Sequence, residues 1–476
     1  MALPTYDQFV THEAQQVFDA YKKKHGRVPA ASDLAHNSWR RLVEGWTHEA
    51  ILGDILGVPV QPPVVTPPGG TARKGLVRAS GRHFVDDTGA FCPAGYTLFW
   101  ALRGWRNERD RVKQNIQHIA KQGYDYYRVL GQVDWAGLET DPRWPDYKGL
   151  LGELIDWSYD VAGIRPQITL IGGDTSGLDW SKYVNDAIEA VRPRAPKVMF
   201  VEVANEWFKN FNHEAAMKDY GRRLRENLPN LVALSAPSEE MAWTRSKGWV
   251  GVYANATTAH FDRSDNATDW KWRHVRKPWE GRQPDVPSSH NEPGGPASSV
   301  AQYPEPIHLV MSRAVGILCG YDSYVLHNGA GIYGTQRPEY GGRAANVWEQ
   351  PGIEPAEKAV RRLDLILPPN PSEGTATRKG LGAHPLTCDN NWPDGGDHGC
   401  VRDYAITNGT SFWQAVQGIK GYVSLKADAN YTLDIVDPIT HAVESTTVAK
   451  GATVRLNPVS RDSRGYGAFI VRGRRI

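Results

Sequence analysis

Short, nearly continuous apolar runs alternate along the middle of the chain with longer stretches whose apolar residues recur every three or four positions. That is the pattern of buried parallel strands interleaved with amphipathic helices. Residues 82–99 read as a hairpin followed by a strand. Further apolar runs follow at Tyr124 to Leu130, Pro166 to Gly172, Val198 to Ala204, Asn230 to Ala236, Gly251 to Asp262, 285–296 and Tyr321 to Gly331. Helical periods fall at Val112 to Lys121, Leu151 to Val161, Trp180 to Val191, His213 to Leu228, His308 to Leu318 and Pro355 to Leu367. The alternation predicts an α/β barrel in preference to a doubly wound sheet.

The flanks differ. Residues 5–57 are helical in period, with Phe9, Val10, Ala14, Val17, Phe18 and Tyr21 on one face and further helices at Leu34 to Val43 and Thr47 to Leu56. The segment PVQPPVVTPPGG, residues 59–70, is a stiff proline-rich linker. Beyond PPNPSEG the period shortens to alternating strands at Ser411 to Val416, Gly421 to Leu425, Tyr431 to Val436, Thr453 to Leu456 and Gly467 to Val471, as in a small β-sandwich. The predicted organisation is a helical module over 1–58, a linker over 59–73, a (β/α)8 TIM barrel over 74–370 and a C-terminal β-sandwich over 371–476. The helical module reads as a cap or tether without chemistry, and the sandwich as packing or carbohydrate binding.

The candidate chemistry sits where two of the runs stop. KVMFVEVANEWF, residues 197–208, is a buried run with one interruption that ends on Asn205, Glu206 and Trp207. The C-terminal end of a parallel barrel strand is where such folds place their chemistry. Later, DVPSSHNEPGGP, residues 285–296, ends on Glu292 before a glycine turn. Two carboxylates on two strand ends suit glycoside cleavage: one protonates the leaving oxygen and the other attacks the anomeric carbon or activates water.

An Asn-Glu pair ending one strand and a lone Glu ending a later one resemble clan A of the retaining glycoside hydrolases, over roughly residues 75–370. The resemblance implies eight strands, with Asn205-Glu206 ending the fourth and Glu292 the seventh. It implies Glu206 as acid/base and Glu292 as nucleophile, about 5 to 5.5 Å apart, with no metal or organic cofactor. Asn291-Glu292-Pro293 departs from the pattern, because many clan members use Asn-Glu-Pro for the acid. No suitable strand-end Glu follows, since Glu373 lies in a Pro/Ser/Gly segment, so order and spacing favour the first assignment. By the same resemblance Asn205 reaches the sugar 2-hydroxyl, Arg128 holds the nucleophile ionised, and His260 stands beside it. His327, Tyr324, Trp207, Tyr333 and Trp348 are candidate sugar contacts. Each has a plainer alternative: Asn205 as a helix cap, Arg128 in a rim ion pair, His260 packing locally. Glu239 and Glu240 lack the preceding Asn and read as a solvated loop. Tyr21, Gly26-Arg27-Val28-Pro29, Trp39, Trp46 and their neighbours resemble a small helical domain appended to bacterial surface proteins.

Composition narrows the partners. Lys and Arg total 55 against 53 acidic residues, a formal charge of +2, which excludes a strong electrostatic grip on nucleic acid. The 17 Trp and 20 Tyr supply faces for sugar rings, and the basic, Trp-rich stretch 262–284 reads as a loop over the cleft. Cys388 and Cys400 are a candidate bridge, and Asp389, Asn391, Asp394 and Asp397 a candidate Ca²⁺ loop. No apolar run is long enough to span a membrane, and no basic, apolar leader opens the chain, which leaves its location and oligomeric state open. The expected partner is a poly- or oligosaccharide of β-glucan, mannan or xylan type. The alternatives are a non-catalytic glycan-binding or particle-surface protein and a transglycosylase on the same scaffold.

Overall fold

The computed structural model describes residues 19–27, 52, 55–56, 73–81, 83–135, 137–237, 249, 251–260, 286–293, 295–297, 305–319, 322–335, 345–366, 377–379, 385–388, 402–407 and 410–476. The chain divides into two compact units, 1–70 and 71–476. In the first, residues 19–25 are helical. Residues 52, 55 and 56, within the expected Thr47 to Leu56 helix, are also helical. The Leu34 to Val43 helix, the proline-rich segment 59–70, Glu239, Glu240, Glu373, the 262–284 stretch, Cys400 and the acidic loop 389–397 lie outside the described residues.

The second unit opens with a three-stranded antiparallel sheet, β1 (Arg78–Ser80), β2 (His83–Asp86) and β3 (Gly89–Phe91). Eight parallel strands then close a barrel: β4 (Ala94–Thr97), β5 (Tyr126–Gln132), β6 (Arg165–Ile171), β7 (Val201–Ala204), β8 (Val232–Pro237), β9 (Ala256–His260), β10 (Ser288–His290) and β11 (Ser323–Leu326). Between and after the strands run α1 (Ala101–Asn107), α2 (Arg109–Lys121), α3 (Tyr147–Asp160), α4 (Trp180–Val191), α5 (Trp207–Asn210), α6 (Glu214–Asn227), α7 (Pro306–Cys319), α8 (Gly329–Tyr333) and α9 (Ile353–Ile366). Strands covered by helices outside and side chains inside are buried on both faces, which is why β5, β6 and β7 have no exposed residue.

The barrel interior is layered. At its N-terminal end the hairpin residues Phe84 and Phe91 join Tyr126, Met199, Phe200, Leu231, Ala256 and Val325 in one apolar cluster. This cluster is the barrel's floor. Tyr126 fits because β4 offers Gly95 opposite it, where a Cβ would come within 2.3 Å of the tyrosine ring. Asp86 fastens the hairpin: its buried carboxylate accepts from Arg73 at 2.8 and 2.9 Å and from Arg165 of β6 at 3.1 Å. Although burial opposes charge, the Arg73 and Thr88 donors hold Asp86 below the usual carboxylate range.

Past the barrel, β12 (Thr377–Lys379), β14 (Arg402–Thr407), β15 (Ser411–Lys420), β20 (Tyr466–Arg475), β17 (Tyr431–Val436) and β18 (Val443–Val448) form one antiparallel sheet. A second sheet contains β13 (Leu386–Cys388), β16 (Val423–Ala427) and β19 (Thr453–Leu456). Leu386, Val423, Leu425 and Leu456 of the small sheet share a core with Phe412, Leu433, Phe469 and Val471 of the large one. The two sheets therefore make a β-sandwich. On the large sheet's other face, Ala415, Ala468 and Ile470 join the core of the barrel.

Candidate active site

Arg128 organises the C-terminal half of the barrel interior. It sits in the middle of β5 rather than at the strand's end, and it is wholly buried. Its Nη1 donates to Glu292 Oε1 at 2.7 Å, and its Nη2 donates to Asn205 Oδ1 at 2.7 Å and to Glu202 Oε2 at 3.0 Å. The Nε faces Thr169 Oγ1 at 3.1 Å and Glu202 Oε2 at 3.2 Å. Burial alone would favour a neutral guanidine, but the Glu202 and Glu292 charges push the group above its ordinary value. The guanidinium is a permanent cation with Phe99 5.0 Å from its central carbon.

Glu292 lies two residues past the end of β10, its side chain 12 % exposed. While Oε1 receives Arg128, Oε2 lies 3.9 Å from His327 Nε2, and the other ring nitrogen of His327 meets Thr97 Oγ1 at 2.9 Å. The turn after Glu292 packs hard against β11: a Cβ on Gly295 would stand 2.2 Å from the His327 carbonyl oxygen. Only glycine allows that approach.

Asn205 and Glu206 leave the C-terminal end of β7. The Asn205 N–H donates to Ile171 O at 2.7 Å, continuing the ladder with β6, and Asn210 Nδ2 donates back to the Asn205 carbonyl at 2.9 Å. Glu206 then takes φ 39°, ψ 56°, a left-handed conformation that glutamate seldom adopts and that costs on the order of 1 to 3 kcal/mol. Its side chain is 18 % exposed and Oε1 accepts from Lys209 Nζ at 3.0 Å.

Arg128, Asn205 and Glu292 thus form one hydrogen-bonded group, with His327 3.9 Å from Glu292 and Glu206 next in the chain to Asn205. His260 is the last residue of β9, where its backbone pairs with Pro237 of β8. Two of the expected sugar contacts are buried. Trp207 is fully buried, its ring 5.0 Å from Trp249, because α5 turns inward immediately after Glu206. Tyr324 is also buried, edge-on to His290 at 5.5 Å. Its neighbour Ser323 faces the barrel interior, bonded to the Tyr126 hydroxyl, so strand alternation sends Tyr324 outward. Tyr333 is half-buried at the end of α8 and packs on the barrel core. Trp348, 37 % exposed, rests on His118 of α2 at 5.4 Å, outside the Arg128 group.

The residue most clearly overlooked is Glu202. It is the single polar interruption of the apolar run before Asn205, and a lone carboxylate in a strand buried on both faces demands partners. It has them: besides Arg128, it accepts from Thr169, from Thr258 Oγ1 at 2.6 Å, from Gln167 Nε2 at 3.2 Å and from Asn291 Nδ2 at 3.3 Å. Phe99, its ring 5.6 Å from His327, and Trp135, 6.4 Å from Phe99, also went unnoticed.

No protein-family model matches the chain, and no curated protein matches it. Solved structures do. A glycoside hydrolase aligns at TM-score 0.61 and 11 % identity, over 84 % of this chain and 97 % of its own. A family 5 glycoside hydrolase from Bacteroides vulgatus aligns at TM-score 0.60 and 13 % identity, over 84 % and 93 %. The fold is that of the glycoside hydrolase barrels. A family 27 β-L-arabinopyranosidase from Geobacillus stearothermophilus follows at TM-score 0.50 and 12 % identity, over 81 % and 96 %. The shared spans exceed the barrel, and at these identities what is shared is architecture.

Proposed function

We propose that the chain is a retaining glycoside hydrolase that cleaves β-linked glycans of glucan, mannan or xylan type by double displacement. Glu292 attacks the anomeric carbon as the glycosidic C–O bond breaks, and Glu206 gives its proton to the departing oxygen. Water, deprotonated by Glu206, then cleaves the glycosyl ester and frees Glu292. Asn205 hydrogen-bonds the sugar 2-hydroxyl.

The observation that carries the reading is the 2.7 Å bond from a permanently charged, fully buried guanidinium to Glu292 at the C-terminal end of the barrel. A nucleophilic carboxylate must be ionised, and such a partner keeps it so. The left-handed backbone at Glu206 is a second support, since strain of this kind gathers at working residues.

The test is hydrolysis of aryl β-glycosides and of β-glucan, mannan and xylan by wild type, Glu206→Gln and Glu292→Gln. The expected result is cleavage by wild type with retention of anomeric configuration and losses of roughly a thousandfold or more in each variant. A wild type that binds glycan yet cleaves none of these substrates would put the binding-protein reading in its place.

A further inference from the structure

We propose that Glu202 is a positioning residue for this reaction. It shares the Arg128 guanidinium with Glu292 and remains behind as that cation's counter-charge when Glu292 becomes an ester. The inference rests on the hydrolase reading above and concerns a residue that never meets the sugar.

Glu202 is wholly buried. Its carboxylate is gripped from several strands: Arg128 from β5, Gln167 and Thr169 from β6, Thr258 from β9, and Asn291 just after β10. A network this complete fixes a side chain to one position. Arg128 in turn has Nε and Nη2 on Glu202 Oε2, which fixes the plane of its guanidinium and leaves Nη1 aimed at Glu292. The same Nη2 holds Asn205 Oδ1. Through one arginine, Glu202 therefore sets the direction of both the nucleophile and the amide beside the acid.

Charge gives Glu202 a second task. In the free enzyme one guanidinium faces two carboxylates, so the group carries one net negative charge. When Glu292 forms its bond to the anomeric carbon, the bond to the leaving oxygen breaks, the leaving group takes the Glu206 proton, and Glu292 becomes a neutral ester. Arg128 and Glu202 then balance and the group is neutral. Without Glu202 the same step would leave an unpaired buried cation beside a sugar that passes through an oxocarbenium-like, positively charged transition state. Glu202 thus acts most strongly where the sugar is most positive, which makes its effect one on turnover more than on binding.

The test compares Glu202→Gln, which keeps shape and removes charge, with Glu202→Asp, which keeps charge, by following kcat and kcat/KM against pH on an aryl β-glycoside. Removing the neighbouring negative charge lets Glu292 ionise at lower pH. The acid limb of kcat/KM for Glu202→Gln is therefore expected to move down by about half a pH unit or more, while that of Glu202→Asp stays at the wild-type position. For Glu202→Gln, kcat is expected to fall by roughly tenfold to a hundredfold, with KM nearly unchanged. Equal losses in both variants with the acid limb unmoved would mean a purely structural role and would overturn the proposal. Should Glu202→Gln not fold, Arg128→Met/Glu202→Gln is compared with Arg128→Met. A residue acting only through Arg128 has nothing left to lose in that background, so a large further drop in kcat would also overturn it. A wild type without activity sinks the hydrolase reading itself, whereas an active wild type with an indifferent Glu202→Gln sinks only this one.

Discussion

Lys209 Nζ donates to the carboxylate assigned as proton donor at 3.0 Å, a charge-assisted bond that occupies Glu206 Oε1. For Glu206 to donate, its carboxyl must exchange Lys209 for the glycosidic oxygen once substrate is in place. Substituting Lys209→Met removes the competing donor and is expected to raise kcat/KM on an aryl β-glycoside by roughly two- to tenfold. A kcat/KM that does not rise would mean that Lys209 does not hold Glu206 back in the working enzyme. At this scale the sequence was most informative where chemistry depends on position along a strand. Asn205, Glu206 and Glu292 stand out because polar residues that end apolar runs are conspicuous. The burial of Trp207 and Tyr324 was not legible, because an aromatic residue near a strand end gives no sign of the face it takes. Glu202 was passed over because a single carboxylate inside an apolar run reads as an interruption until its partners, from distant strands, are seen together.

Elements were legible where an apolar period is long and interrupted by turn residues, as in α4 and β6, whose predicted and observed limits agree within a residue. They were illegible where tertiary contacts replace the period. The strand β18, VESTTV, lies almost wholly exposed on one edge of its sheet, so it has no apolar alternation to betray it. The short α1 hides in a run of Trp and Arg that is half core and half rim. The hairpin floor was seen, but not its fastening. Asp86 is the sole carboxylate on which both Arg73 and buried Arg165 close among their described contacts. Asp86→Ala is expected to destabilise the fold by about 3 kcal/mol, because it leaves a buried arginine unpaired. Urea unfolding measures the loss. Since Asp86 is held below the usual carboxylate range, its contribution is complete above the unfolded value near 3.9 and fades as pH falls through the folded one. The variant should therefore lose less stability than wild type on acidification below about pH 4.

For the 71–476 unit as a whole, the consequential junction is where the large sheet of the sandwich meets the barrel. Apolar packing by Ala415, Ala468 and Ile470 supplies area, and a polar clasp at the start of α7 supplies direction. There the Glu305 backbone N–H donates to His308 Nδ1 at 3.0 Å, and His308 Nε2 faces Asp462 Oδ2 at 3.2 Å. Because Nδ1 accepts, the imidazole proton must sit on Nε2 and be given to Asp462. Asp462 is further committed to Arg464 and to the Tyr466 N–H, while Glu305 accepts from Ser463, so the three side chains are occupied as a clasp rather than arrayed around a cation. Burial lowers His308 below its ordinary value, outweighing the pull of Asp462 and Glu305. A neutral folded histidine means that the clasp is fully present above the unfolded value near 6.5 and is lost as pH falls toward the depressed folded one. Protonation would set an N–H on Nδ1 against the Glu305 N–H that it now accepts. His308→Gln can still donate to Asp462 and accept from Glu305 without titrating. Between pH 7.5 and 5.5 wild type is therefore expected to lose about 2 °C or more of melting temperature relative to that variant. Parallel losses in the two proteins would show that the junction does not respond to this histidine.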